Sequence, residues 1–470
     1  MNLPEVAGPT QKFLSFKEKL KWTGTILVIY FVLGLLPLFG LGQNSLSAFE
    51  QLSIILGAEF GSLISLGIGP LVTGSIVLQL LNGSGLVKFD LTSHEGKRTF
   101  QGVQKLFSIF FVIFEAAIYV FMGGLAPPAE LVGTPLFFQL QLILVFQLFL
   151  GGIMIMFMDE VVSKWGFGSG ISLFIAAGVS KEIFIRAFNW LPGSGGVSGA
   201  TYSIGAVPAL FQSLSAGDPK TAFLMISALI ATALVFVIAV YVQSMKVEIP
   251  LSFGRIRGHG IRWPLSFLYT SNIPVILVAA LMANMQLWAR LVQNLATKSG
   301  GAIVNFISVN ILGQTGTAAS GSGIIQYVNA PNIIESLIKG SFDFLHVKVA
   351  LVYLLFMMIG SVVFSIFWVQ TSGMDAKSQA KQMMSSGLQI PGFRRDERVL
   401  ESLLNRYIWP LTIMGGLAIG FLAGFADLTG ALSRGTGILL SVMIVYKLYE
   451  EIAQQHMMDM NPMMRNVIGM

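Results

Sequence analysis

Between Ser45 and Gly85 the chain carries enough apolar sequence to reach across a bilayer, yet interrupts it at Gly67-Ile68-Gly69-Pro70. Proline lacks an amide proton and its ring clashes with the preceding turn, so no helix runs through that tetrapeptide undisturbed. Before the break, Leu46, Phe49, Leu52, Leu56, Phe60 and Leu63 recur at steps of three and four, which predicts one apolar helical stripe. Glu50, Gln51, Ser53 and Glu59 stand around that stripe, so protein or water, rather than lipid, must surround it. After the break, Leu71 to Leu81 is apolar but only about half the ~20 residues that cross a hydrocarbon core. Broken backbone at membrane depth survives only where it lines a cavity or is buried in protein. The stretch predicts one crossing made of two unequal half-helices, set against a central cavity.

The rest of the chain fits a membrane setting. Hydrophobic residues make up 54% and charged residues 11%, with a mean hydropathy of +0.74; a soluble protein carries about twice that charge. Hydropathy predicts an all-α polytopic protein with ten crossings, near 22–42, 45–85, 103–125, 136–158, 168–187, 222–244, 265–289, 347–369, 406–427 and 434–452. With both termini cytoplasmic, all but eight of the 29 Lys and Arg residues fall inside. The N-terminal apolar run is too long for a signal core and has no small-residue cleavage site, so no cleavable leader is expected. Without a cysteine the chain has no disulfides, thiolate metal sites or cysteine nucleophiles.

This pattern divides the chain into a cytoplasmic tail (1–21), an N-terminal half (22–200), an outer linker (201–221), a C-terminal half (222–452) and a second cytoplasmic tail (453–470). Two long outer loops, 188–220 and 291–346, are rich in Gly, Ser and Ala and read as connectors. Two inner loops, 245–263 and 371–405, are basic, through Lys246, Arg255, Arg257 and Arg262 in one and Lys377, Lys381, Arg394, Arg395 and Arg398 in the other. Gly168-Ser169-Gly170-Ile171 opens the fifth crossing and Gly435-Thr436-Gly437-Ile438 the tenth. One starts inside and the other outside, which predicts two five-helix halves related by a two-fold axis in the membrane plane. Gly69-Pro70-Leu71-Val72 and Ile273-Pro274-Val275-Ile276 match more loosely at the second and seventh crossings.

Catalytic constellations are missing. Gly166-Phe167-Gly168-Ser169-Gly170 follows a membrane helix rather than a strand, so it is no phosphate loop. The four histidines are scattered through loops and tail without metal-ligand spacing, and no cofactor is implied. Glu115 is the one ionisable group well inside an unbroken crossing, and is read as hydrogen-bonded to a neighbouring helix. Asp159 and Glu160 end the fourth crossing at the inner surface, solvated or paired with a loop.

What the broken helices bring to mid-membrane is aliphatic: Ile68 and Val72, Ile171 and Ile175, Ile273 and Ile276, and Leu440. Ordinary helix packing accounts for such spacing. An apolar constriction that excludes water and ions by dewetting, yet parts for a polypeptide, accounts for it too. An inverted-repeat transporter of a small solute is the alternative, and would need polar groups converging at the same depth.

At these residues the chain resembles the SecY family, the central subunit of protein-conducting channels, in its archaeal form. The matching text is Phe16-Lys17-Glu18-Lys19-Leu20-Lys21-Trp22, Leu66-Gly67-Ile68-Gly69-Pro70, Gly168-Ser169-Gly170-Ile171 with Ile175-Ala176-Ala177-Gly178, Ser271-Asn272-Ile273-Pro274-Val275-Ile276, Pro391-Gly392-Phe393-Arg394 and Gly435-Thr436-Gly437. The resemblance implies an hourglass pore between two halves, with a ring of Ile68, Val72, Ile171, Ile175, Ile276 and Leu440. It implies a plug half-helix, about 45–66, carrying Leu52, Ile55, Leu56, Glu59, Phe60 and Leu63; Glu59 stands where relatives are expected to have a small, polar or basic residue. A lateral gate between the second and third crossings and the seventh and eighth would include Thr73, Gln79, Ile273 and Asn284. Arg255 and Arg394, with their neighbours Arg257 and Arg395, would lie on the loops that meet the ribosome. The implied partners are two small single-span subunits (SecE-type and Sec-beta-type), the ribosome, signal peptides, nascent chains and the lipid of the cell membrane.

Overall fold

The computed structural model describes residues 4–10, 14–44, 58–83, 86–87, 89, 94–192, 202–253, 260–270, 273–299, 323–385, 388–389 and 397–460. A helix occupies each of the ten expected positions: α1 (Phe16–Leu35), α2 (Gly69–Gly83), α3 (His94–Phe121), α4 (Pro135–Trp165), α5 (Gly170–Phe188), α6 (Pro219–Ser244), α7 (Ile273–Ser299), α8 (Phe344–Thr371), α9 (Glu397–Leu428) and α10 (Gly435–Met460). Of these, α3, α4, α6, α7, α8 and α9 are long and apolar enough to cross a bilayer by themselves. Their surroundings differ: 76% of the α7 apolar window is buried in protein, against 17% for α6. So α7 lies inside the bundle, while α6 turns most of its apolar surface away from it.

Helix ends fall where backbone chemistry puts them. α1 stops at Leu35, short of the expected 42, because Leu36 precedes Pro37 and is extended. α2 and α7 each begin one residue before a proline, Pro70 and Pro274, a position where the missing amide costs nothing. This moves the start of the seventh crossing from 265 to 273. Residues 58–68 run as turns rather than as the end of a half-helix. Gly61 and Gly67 have positive φ there, and the hydroxyls of Ser62 and Ser65 take backbone carbonyls that a helix would use. Leu52, Ile55 and Leu56 lie outside the described residues.

The two halves carry the same device at opposite ends. Asp159, near the end of α4, accepts from the Ile171 amide at 3.0 Å and so caps α5. Asp427, near the end of α9, accepts from the Thr436 amide at 2.8 Å and from the Tyr353 hydroxyl at 2.5 Å, and so caps α10. A Cβ on Gly170 would stand 2.6 Å from Asp159 Cα, and one on Gly435 would stand 2.1 Å from the Ala426 carbonyl carbon. In each opening one glycine, the second in Gly168-Ser169-Gly170 and the first in Gly435-Thr436-Gly437, lets the helix start against the end of its predecessor. Asp159 is paired, not merely solvated. Glu160 beside it pairs with Lys105 and accepts from the Val6 amide.

The basic loop after α6 is an antiparallel hairpin, Lys246–Phe253 with Gly260–Ser266, joined by a short third strand, Leu388–Gln389, from the loop after α8. Val247, Ile249, Leu251 and Phe253 alternate with Glu248, Pro250 and Ser252, a strand pattern legible in the sequence but not expected above. Arg255, Arg257, Arg394 and Arg395 lie outside the described residues.

Candidate functional site

Two cavities enter the bundle from opposite ends. The inner one, about 510 Å³, is lined by Val72, Gln79, Ile171, Ile273, Ile276 and, towards its mouth, Lys97, Lys447 and Glu451. The outer one, about 460 Å³, is lined by Tyr30, Glu59, Gly178, Lys181, Glu182 and Leu432 among others. On α5 the inner cavity reaches Leu173 and the outer one begins at Gly178. Five residues at a 1.5 Å rise leave ~7 Å of helix between them. That interval holds Phe174 and Ile175, both wholly buried. On α10 the wholly buried Leu440 lies between Leu432 of the outer cavity and Ile444 of the inner one.

Five of the six residues that the resemblance implies for the ring, Ile68, Val72, Ile175, Ile276 and Leu440, are buried in one apolar cluster, and the half-buried Ile171 packs against it. They come from α2, α5, α7 and α10 and from the residue preceding α2. Ile68 follows Gly67 at φ +56°, the turn that swings the chain from the 58–68 segment into α2. Val72, Ile171 and Ile276 also line the inner cavity, beside Ser75, Gln79 and Ser172, while Ile68, Ile175 and Leu440 line neither cavity.

The polar residues form a separate seam. Asn284 on α7 donates from Nδ2 to Thr73 Oγ1 on α2 at 2.8 Å. Thr73 Oγ1 lies 3.1 Å from Glu115 Oε1 on α3 and 2.8 Å from the Gly69 carbonyl, two acceptors competing for one hydroxyl proton. Glu115 is fully buried. The resemblance placed Thr73 and Asn284 together in the gate, while Glu115 was read separately as bonded to a neighbouring helix; nothing in the sequence joined it to Thr73. Gln79 lies further along α2; its Oε1 is buried and faces the inner cavity without a partner among the described residues. Ile273 lines that cavity at the start of α7. Behind the seam α2 sits closely on α3: a Cβ on Gly74 would be 3.0 Å from the Ser108 amide.

Of the expected plug residues, Glu59, Phe60 and Leu63 are described. Glu59 forms an ion pair with Lys181 of α5. Phe60 and Leu63 pack, partly buried, against the apolar cluster of α3 and α4. A Cβ on Gly151 of α4 would stand 1.8 Å from the Leu63 carbonyl oxygen, so this turn is pressed onto bare helix backbone. Among the described residues no group of His, Asp and Glu is placed to hold a metal ion.

A many-helix bundle with opposed cavities separated by a thin apolar layer is the architecture of a membrane channel. The SecY family profile matches residues 62–449, and that of the plug domain of Sec61p matches residues 28–61. The chain belongs to the SecY family. It is 45% identical over 473 residues to the protein translocase subunit SecY of Methanothermobacter thermautotrophicus, covering 99% of this chain and 97% of that one. The similarity to the SecY of Methanocaldococcus jannaschii is 41% over 467 residues, with 99% and 98% covered. Among solved structures it superposes on "The structure of a protein conducting channel" with a TM-score of 0.77 at 39% identity, covering 97% and 96% of the two chains. It also superposes on the Sec61 of a canine ribosome-channel complex from the endoplasmic reticulum, with a TM-score of 0.73 at 38% identity and the same coverage. The plug profile ends at residue 61, so Leu63 lies beyond it.

Proposed function

We propose that this chain is the pore-forming subunit of a protein-conducting channel, which moves secretory polypeptides across the cell membrane and releases apolar segments sideways into lipid. The observation that carries this reading is the ~7 Å apolar layer on α5 between two cavities. Ile68, Val72, Ile171, Ile175, Ile276 and Leu440 act as the pore ring. Their side chains bind nothing, so they exclude water and ions while closed and slide along any chain when open. A small-solute carrier is disfavoured by the same carbon, since it needs polar groups at that depth. The role is non-enzymatic.

Thr73, Gln79, Ile273 and Asn284 act as the lateral gate. A signal sequence brings a 7–15-residue apolar core and gains ~25 cal/mol per Å² on leaving water for the lipid-facing seam. That gain works against the Asn284–Thr73 hydrogen bond, which joins the two halves. The segment around Leu52 to Leu63 is the plug, displaced when the halves part. Residues 22–200 and 222–452 are the halves, joined by 201–221, and both termini are cytoplasmic, as the distribution of Lys and Arg favours.

SecE-type and Sec-beta-type single-span subunits pack on the outer helices, and the ribosome docks on the loops carrying Arg255, Arg257, Arg394 and Arg395; likeness to a canine channel bound to a ribosome supports the latter. Arg394→Glu is expected to weaken ribosome binding with a reduced salt slope, and equal binding at low salt would refute that assignment. The whole reading is tested by reconstituting the chain with its single-span partners in vesicles. Protease-protected uptake of a secretory precursor, with no uptake of small solutes, is the expected result.

A further inference from the structure

Glu59 is the one charged residue among those expected in the plug, and the structure gives it a partner. Its carboxylate pairs with Lys181 of α5 at the outer cavity, both side chains half-buried. Its stem passes α1 at Gly34, where an added Cβ would stand 3.1 Å from Glu59 Cγ. Its carbonyl accepts from Ser62 Oγ at 2.7 Å and Ser65 Oγ at 3.2 Å. The chain just beyond is pinned to the segment after α1, by Leu38 N to Gly61 O at 3.0 Å and Leu63 N to Leu36 O at 2.9 Å. Other charges lining this cavity are occupied: Glu182 with Arg186 at 2.6 Å and Ser433 at 2.9 Å, and Glu335 with Lys339. Glu59 therefore stands where an anchored turn meets the plug, threaded between α1 and α5.

We infer that Glu59 and Lys181 form a latch that holds the base of the plug against α5, and that a translocating chain opens by displacing it. This rests on the channel reading above. The pair is half-exposed, so it trims the resting leak rather than making the seal. An exposed pair is also screened by salt, which makes the latch weaker at high ionic strength.

The test is the resting ion leak of the channel, reconstituted with its single-span partners, relative to its own fully open conductance. Glu59→Gln and Lys181→Gln are each expected to raise that ratio about fivefold, and Glu59→Lys further. The swap, Glu59→Lys with Lys181→Glu, is expected to return to within about twofold of the native channel. Gly34→Val, which leaves both charges in place but crowds the Glu59 stem, is expected to leak like the single variants. A channel lacking residues 48–57 separates the two ideas. If the deletion leaks and the charge variants do not, the latch is wrong and the plug stands. If the deletion does not leak, the plug reading itself falls. Single variants that leak without recovery in the swap would also overturn the latch.

Discussion

The two halves of this molecule meet in two ways, through carbon at the waist and through hydrogen bonds at the seam. At the waist, Val72, Ile276 and Leu440 join one apolar cluster. At the seam, a few residues away, Asn284 donates to Thr73, which sits beside Glu115. Apolar contact is non-directional, so a waist built from it can open, slide along varied sequences and close again. A hydrogen bond is directional and worth about 0.6–2 kcal/mol between membrane helices, so the seam sets a threshold. On the proposed reading, sealing and selecting fall to different chemistry on the same helices.

The largest effect should come from the waist. Val72→Asn with Ile175→Asn wets the neck, and the resting ion conductance of reconstituted vesicles is expected to rise at least tenfold. Unaltered conductance would remove the division between seal and threshold. Next is a covalent lock. A Cβ at Gly34 would be 3.8 Å from Glu59 Cβ, a separation suited to a disulfide, and the chain has no other cysteine. Gly34→Cys with Glu59→Cys should stop translocation under oxidation and restore it on reduction, while leaving signal binding intact.

Seam variants come after these. Asn284→Leu removes the bond from α7, and signals shorter by one or two buried methylene groups should then suffice, at ~0.8 kcal/mol each. A requirement that stays unchanged would detach the seam from gating. Glu115→Leu should shift the threshold less, because Thr73 keeps the Gly69 carbonyl as an acceptor at 2.8 Å. Should Glu115→Leu exceed Asn284→Leu, the contact between α2 and α3, not the contact between halves, would be the controlling one.

Much of this was legible in the chain itself. Hydropathy put a crossing near each of the ten long helices, and the glycine-rich openings at 168–170 and 435–437 mark helices that start against another, with no room for a side chain at Gly170 or Gly435. Pro70 marked the start of α2, whereas hydropathy alone began the seventh crossing eight residues too early, at 265, and missed the same signal in Pro274. The links between distant residues were not legible. Asp159 looked like a surface carboxylate, and Asp427 drew no notice, because a cap depends on where the next helix folds back. Glu115 looked isolated because Thr73 and Asn284 lie on other helices, 42 residues before it and 211 residues beyond Thr73, respectively. Leu63 carried a helical period into a turn, since periodicity does not register two serines that prefer to bond their own backbone.

The most direct measurement places single cysteines at three points along α5 and asks which side reaches them. Ser172→Cys lies at the inner cavity, Ile175→Cys in the layer between, and Gly178→Cys at the outer cavity. With a charged thiol reagent and an idle channel, the first should label only from within and the third only from outside. The middle position should stay unlabelled from either side until a polypeptide is being carried through. Labelling of Ile175→Cys in the idle channel, or of one cavity position from both sides, would mean that no carbon neck divides the molecule.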